Sequence, residues 1–384
     1  MKLQKRKIHF SLLQSICLFV LVGLLIIGCA KDTEIKTDTG TVSKEIVSIG
    51  KPAAIRAADS LGRIVQLDKK PERIVIAGKA TMISADALYL FPEARTHVVG
   101  LGLTNQGLGD FYRYLAPELP VTTRLNHNVG AEEIASKQPD LVLIKSRLYN
   151  SLGKKLEQLG ITVFTLDLES PESYIKEITQ LGILLQEEER ATQITDYYQN
   201  KIDSVAHTVS TCSSDDQEDV LMLYCSIKDG VTAFQTAPKS WIQTFMTESA
   251  GAHAIWKDDN LLQGWKKVNF EQIAAWDPDR VYIISYKTPT LKIIEQINNS
   301  PLWQGLSAYK NGKIKAFPAD YHNWAQPDTR WILGLLWLSH DLHPECYEDT
   351  SFADVLKEFY STLYQIEDES ILQDILKRYE TSLD

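Results

Sequence analysis

The chain has 384 residues, 44% hydrophobic and 23% charged, with 50 acidic against 40 basic side chains and a formal net charge of −10. That balance argues against nucleic acid and anionic lipid surfaces as partners, and leaves room for a local basic pocket. The length exceeds what one compact core usually fills and suits two domains.

Lys2, Lys5, Arg6 and Lys7 open the chain, and an apolar run densest from Ile16 to Ile27 ends at Gly28-Cys29. A basic start, an apolar middle and a small residue before the cut are the parts of a secretory signal; a run of this length also suits a membrane-spanning helix. Ile26-Ile27-Gly28-Cys29 resembles the lipobox of bacterial lipoproteins. The resemblance implies a signal peptide over residues 1–28 and lipid attachment at Cys29. The mature chain is then extracytoplasmic and lipid-anchored to the cell membrane, or to an outer membrane where the host has one. Residues 29–52 are polar without apolar periodicity and read as a flexible tether.

From 53 to 170, short apolar strands alternate with helices. Strands are expected at Arg73–Ala77, His97–Leu101, Asp140–Ile144 and Thr162–Leu166, and helices at Met82–Phe91, Ala131–Lys137 and Ser151–Leu159. Continuous apolar strands separated by helices argue for a parallel sheet covered on both faces. One helical pattern then runs from about Glu172 to about His207 on Ile175, Ile178, Leu181, Leu185, Ile194, Tyr198 and Ile202, within a bridging segment 171–210. Ser170-Pro171-Glu172 is a sound start for it.

Residues 211–384 resume the alternation. Strands are expected at Val220–Tyr224, Arg280–Ile284 and Lys313–Phe317. Helices are expected at Ser240–Ala250, Phe270–Trp276, Leu291–Asn298, Asp328–Leu342 and Phe352–Leu363. Glu132-Glu-Ile-Ala-Ser-Lys-Gln-Pro-Asp140 in the first half matches Glu271-Gln-Ile-Ala-Ala-Trp-Asp-Pro-Asp279 in the second, each before a strand. The shared spacing predicts an α/β fold: two Rossmann-like lobes with parallel sheets joined by one long α-helix.

This organisation resembles the helix-bridged periplasmic binding proteins of ABC importers, which carry ferric siderophores, haem, cobalamin or, in some members, metals and oxyanions. Asp59–Leu67 with Pro71–Ile76, the two Glu…Pro-Asp units, Pro301–Ile314 and Leu336–Pro344 carry the resemblance over about residues 55–365. It implies capture of a small metal complex, a ferric siderophore foremost, with cobamide, haem or a molybdate-like oxyanion as alternatives. It implies an ABC permease as partner, docked through Glu132 and Glu271 on the two lobe tips, where exposed carboxylates pair with arginines. It implies no enzymatic activity and no cofactor, and a monomer is expected. An exported metalloenzyme of the same shape and a lipid-anchored scaffold are the competing classes.

In open parallel sheets ligands sit beyond the carboxyl ends of the strands. The candidate ligand-binding residues are therefore Lys79, Tyr112, Arg124, Arg147 and Tyr149 in the first half. In the second they are Tyr224, Trp241, Trp265, Tyr286, Tyr321, His322 and Trp324. Basic groups suit an anion and flat aromatics suit a macrocycle or catecholate. No metal site is assigned, although Tyr321 or His322 has the chemistry to ligate iron. Cys17 leaves with the signal, and Cys212, Cys225 and Cys346 lack metal-site spacing. Whether Cys212 pairs with Cys346 stays open. His340-Asp-Leu-His343 is not HExxH, and no phosphate-loop or GxSxG pattern is present.

Overall fold

The computed structural model describes residues 54–383 apart from 105, 120–123, 213–216, 229, 230, 263 and 349; the signal peptide, Cys29 and the tether lie outside them. The described chain opens with an antiparallel hairpin of β1 (Ile55–Ala58) and β2 (Ile64–Leu67). Asp59 shapes its turn: the carboxylate accepts the N–H of Leu61 and Arg63, each at 3.0 Å, and Gly62 supplies φ 75°.

The first sheet contains β3 (Ile74–Ile76), β4 (Val98–Leu101), β5 (Leu141–Ile144) and β6 (Thr162–Thr165) in the order β4-β3-β5-β6, all parallel. Both β3 and β5 are buried along their whole length, as continuous apolar strands between helical layers must be. The chain leaves β3 to one side for β4 and returns to the other for β5. A crevice therefore opens at the carboxyl ends between them.

The second sheet contains β7 (Asp219–Lys228), β8 (Val231–Thr236), β9 (His253–Ala254), β10 (Lys266–Val268), β11 (Arg280–Ile284) and β12 (Ile314–Ala316). Its order is β10-β8-β7-β11-β12, with β9 beside the start of β7. Unlike the expected all-parallel sheet it is mixed. β7 runs past its partner β11 and folds back into β8, pairing Ser226 with Ala233, and β10 adds antiparallel to β8.

The helical stretch 172–207 is interrupted. Helix Pro171–Leu185 ends at Gln186, which takes φ 54°; Glu187 N–H bonds back to Gly182 O at 2.8 Å and Gln186 N–H to Ile183 O at 3.2 Å. Helix Glu188–Cys212 then returns antiparallel, packing Tyr198 at a tilt against Tyr174, ring centroids 4.6 Å apart. No proline marks the reversal, and Gly182 lies within the helix four residues before Gln186, so the apolar periodicity runs through it. The long helix is accordingly the 25-residue second arm, about 37 Å in length. A disulfide joins its end, Cys212, to Cys346, with the Cα atoms 6.3 Å apart. A final helix, Glu369–Leu383, follows Phe352–Tyr364 and was not expected.

The repeated units match at the backbone. Gln138 (φ 52°) and Asp277 (φ 41°) each take the left-handed conformation before Pro-Asp. Asp140 then accepts the N–H of Glu72 (2.8 Å) and Arg73 (3.0 Å), and Asp279 that of Asp219 (2.9 Å). Each aspartate ties its unit to the start of the neighbouring strand.

Candidate functional site

The carboxyl ends of β5 and β6 face the second sheet across a cavity of about 660 Å3. Ser60, Lys145, Arg147, Asp167 and Glu169 line one wall, and Ser240, Trp241, Gly264 and Trp265 the other. Ile242 N–H donates to Glu169 O at 3.1 Å and ties the two walls together. Lys145 is nearly buried, and its ammonium donates to Asp167 O and to Glu169 Oε1 at 2.7 Å. Its charge is thus spoken for. Arg147 is exposed, and among the described residues it has no ion-pair partner. It is the cation free to meet a ligand on this wall.

The opposite wall is aromatic. Trp265 packs on Tyr224 at 4.7 Å and edge-on against Trp241 at 5.5 Å, and Tyr224 packs at a tilt against Tyr286 at 4.6 Å. The loop that presents Trp265 is pinned from inside. Asn260, fully buried, donates to Thr236 O (2.8 Å) and Gly264 O (3.2 Å) and accepts from Leu262 N–H. The backbone next to Trp265 is therefore held in place before any ligand arrives. At the back of the cavity lies Glu177, whose carboxylate accepts the N–H of Asp167 at 2.6 Å and Leu168 at 3.2 Å. Burial, outweighing these bonds, pushes its carboxyl up to about 7.

The structure brings Arg147, Trp241 and Trp265 to one cavity, with Tyr224 and Tyr286 packed against Trp265. It places the other expected residues elsewhere. Tyr112, Tyr321, His322 and Trp324 are buried in a seam where the two sheets' loops meet. There Gly107 N–H bonds Tyr286 O and Leu108 N–H bonds Tyr321 O, each at 2.7 Å. Tyr112 donates to Asp86 (2.7 Å), and Trp324 stacks flat on Tyr379 of the final helix at 5.0 Å. Arg124 is consumed by Asp110 at 2.6 Å. Tyr149 lies under Arg63 at 3.9 Å and donates to Glu157, which serves the β1–β2 hairpin. Lys79 is exposed outside the cavity lining.

Neither iron-ligand candidate is set up for the task. Tyr321 Oη receives Arg113 at 2.8 Å and donates to Asp374, and burial raises its phenol further from ionisation. Asp86, His322 and Asp328 do cluster, with ligand atoms within 4.8 Å of one another. Arg330 already fills the cation's role: its guanidinium is 2.7 Å from Asp86 and 2.9 Å from Asp320, all fully or nearly fully buried. A metal ion there would face that guanidinium, so the cluster is a buried ionic lock. A second cavity, about 640 Å3, lies beside the seam between Leu108, Lys287 and the final helix at Lys377 and Arg378. Its lining includes none of Arg147, Trp241 and Trp265.

Sequence reasoning missed Ser60, Asp167, Glu169, Glu177 and Ser240. Asp167 and Glu169 had a signal, since they follow β6 at its carboxyl end. Glu132 and Glu271 are both exposed in first helical turns, of Ala131–Ala135 and Phe270–Trp276.

The sequence profile of periplasmic binding proteins matches residues 85–321. The chain belongs to the periplasmic binding protein family. Two relatives are the molybdate-binding protein MolA of Haemophilus influenzae and the Fe(3+)-citrate-binding protein YfmC of Bacillus subtilis. The first is 24% identical over 80% of this chain and 90% of that protein, the second 25% identical over 63% and 67%. A cobalamin-binding protein of Halobacterium salinarum is 23% identical over 74% of this chain and 73% of its own length. The fold agrees. The crystal structure of molybdate-bound MolA superposes with a TM-score of 0.64 at 18% identity, covering 81% of this chain and 98% of that one. A solute-binding protein from Veillonella parvula gives 0.65 at 21% identity, covering 85% and 99%. Membership makes this periplasmic binding protein an extracytoplasmic solute-binding protein, and the three relatives' names span three chemically unlike ligands.

Proposed function

We propose that this periplasmic binding protein captures an anionic metal chelate of organic size, of the ferric-siderophore class, and hands it to an ABC permease. The observation that carries this reading is the cavity in which Arg147, without an ion-pair partner among the described residues, faces the Trp241–Trp265 wall. A volume of about 660 Å3 falls in the range of organic-ligand pockets, about 300–1,000 Å3, and is ample for more than a bare oxyanion. Indole faces favour a ring-bearing chelator and guanidinium its anionic groups. In this reading the chain anchors through Cys29, residues 53–170 and 211–384 act as lobes about the 171–210 segment, and Glu132 and Glu271 dock to the permease.

Thermal unfolding of the chain from residue 30 onward, with ferric siderophores, ferric citrate, haem, cobalamin and molybdate, tests it. A ligand at hundredfold excess over its Kd adds about 2.7 kcal/mol of stability. A shift with a ferric chelate that is lost in Trp265→Ala supports the reading. A shift with molybdate alone replaces it with the oxyanion reading, and chemical turnover of any ligand replaces it with an enzyme.

A further inference from the structure

Glu177 stands on helix Pro171–Leu185 but works on the cavity wall. It is buried, whereas the side chains of Asp167 and Glu169 remain 28% and 31% exposed. Its two backbone bonds hold the segment after β6 where Leu168 takes φ 58°, a conformation a branched side chain adopts only under constraint. That segment carries Asp167 and Glu169, which in turn hold Lys145; Ser146 N–H also bonds Asp167 at 3.1 Å. One chain of contacts thus links Glu177 to the wall that carries Arg147.

The charged groups around it are few. The segment after β6 offers Asp167 and Glu169, and the end of β5 offers Lys145 and Arg147. The hairpin offers Ser60, since Asp59 is engaged by Arg63 at 2.6 Å. The second sheet's wall offers Ser240, Trp241, Gly264 and Trp265, none of which titrates near neutrality. On its own helix, Ser173, Tyr174, Gln180 and Leu181 lie one turn away and are uncharged there. With Glu177 protonated the cavity's two cations balance its two anions. With Glu177 ionised the cavity carries an excess negative charge.

We infer that Glu177 is the proton-linked group of the cleft: an anionic ligand binds best when this carboxyl is protonated, and its capture takes up a proton there. The inference rests on the cleft being the ligand site. Burial places the group's titration near neutrality, where it responds to small changes outside the cell. An arriving anion disfavours the ionised form further, and by reciprocity affinity falls as pH rises through that range.

Glu177→Gln keeps the size and an acceptor oxygen and removes the titration. Ferric citrate, a ferric tris-catecholate and neutral cyanocobalamin serve as probes. Each is titrated into both proteins from pH 6 to 8.5, by tryptophan fluorescence and by calorimetry in buffers of different ionisation heat. The expected result is that affinity for an anionic probe weakens in the native protein by up to about tenfold per pH unit above the midpoint. That slope and the proton uptake vanish in E177Q, and cyanocobalamin shows neither. Equal slopes and equal uptake in both proteins overturn the inference and leave the cleft reading standing. A ligand-free arm follows the carboxyl stretch in the infrared difference between native protein and E177Q. A midpoint near neutrality supports the inference, and one in the ordinary carboxylate range overturns it even where no probe binds. Failure of every probe to bind counts against the cleft reading itself.

Discussion

Arg330 shows what a single buried charge does here. Its guanidinium is fully buried between Asp86, Asp320 and Asp328, and stacks on Phe111 at 4.5 Å. Arg330→Ala removes the guanidinium these carboxyls share in a low-dielectric seam, leaving Asp86 to Tyr112 and His322 and Asp320 to Tyr360 and Trp324, and is expected to cost about 3–5 kcal/mol in urea unfolding. Asp86→Asn in that background should recover part of the loss, because one charge left without the guanidinium is removed with it. Glu177 has the opposite sign. Its carboxyl is raised to about 7 when folded, against about 4.5 in the unfolded chain, so the native state binds the extra proton between those values. Stability contributed by the protonated form is therefore complete below about pH 4.5 and lost as pH rises through 7. E177Q is expected to exceed the native protein in stability at pH 8 by up to about 3 kcal/mol, with the gap closing towards pH 4.5. Arg147→Ala, on an exposed side chain without an ion-pair partner among the described residues, should leave the melting temperature unchanged. It should weaken an anionic chelate by about 10–100-fold, the worth of one charge-assisted contact.

At the scale of elements, the helical hairpin is decided by Gly182. A Cβ at this position would lie 2.3 Å from the Cβ of Ala191, far inside contact distance. Alanine has the better helix propensity by about 1 kcal/mol. The enforced separation of two packed helices costs about 1–3 kcal/mol or more. The steric effect wins, and Gly182→Ala should lower the urea midpoint. The loss should appear even though helix propensity alone predicts a gain. The same close approach explains why the reversal is hidden in the sequence. Gln186 adopts the left-handed conformation through tertiary packing, whereas Gln138 and Asp277 do so beside Pro-Asp, a local signal that was readable.

Across the whole molecule, the Cys212–Cys346 bridge joins positions 134 residues apart and ties the long helix to the turn after Trp331–Leu342. Reduction, or Cys212→Ser with Cys346→Ser, is expected to cost about 2–4 kcal/mol, read as a drop in melting temperature that reductant no longer deepens in the double variant. The final helix acts at this scale too. Asp374 accepts Tyr114 at 3.0 Å and Tyr321, and Arg378 lies over Tyr321 at 4.0 Å, so residues from both sheets' loops converge on one helix.

That convergence separates what the sequence by itself determined from what only the tertiary structure decided. Period-two and continuous apolar runs report burial within a few residues, so the strands from β3 to β6, the strand β11, most helices and the matched Glu…Pro-Asp units were legible. Arg147, soon after β5, and Trp241, at the start of a helix, were expected near the strand ends and both line the cavity; Trp265 lines it from just before β10. The run Tyr321-His-Asn-Trp324 was legible as unusual but not as buried. A cluster of aromatic and polar side chains reads the same whether a ligand, a loop or a distant helix covers it. Here the cover is the Gly107–Tyr112 loop and a helix some 50 residues further on, and contacts of that range are set by packing, not by local pattern. The acidic side of the cleft was settled in the same way. Glu177 belongs to a helix by its periodicity, and only the fold brings its carboxyl under the cavity wall.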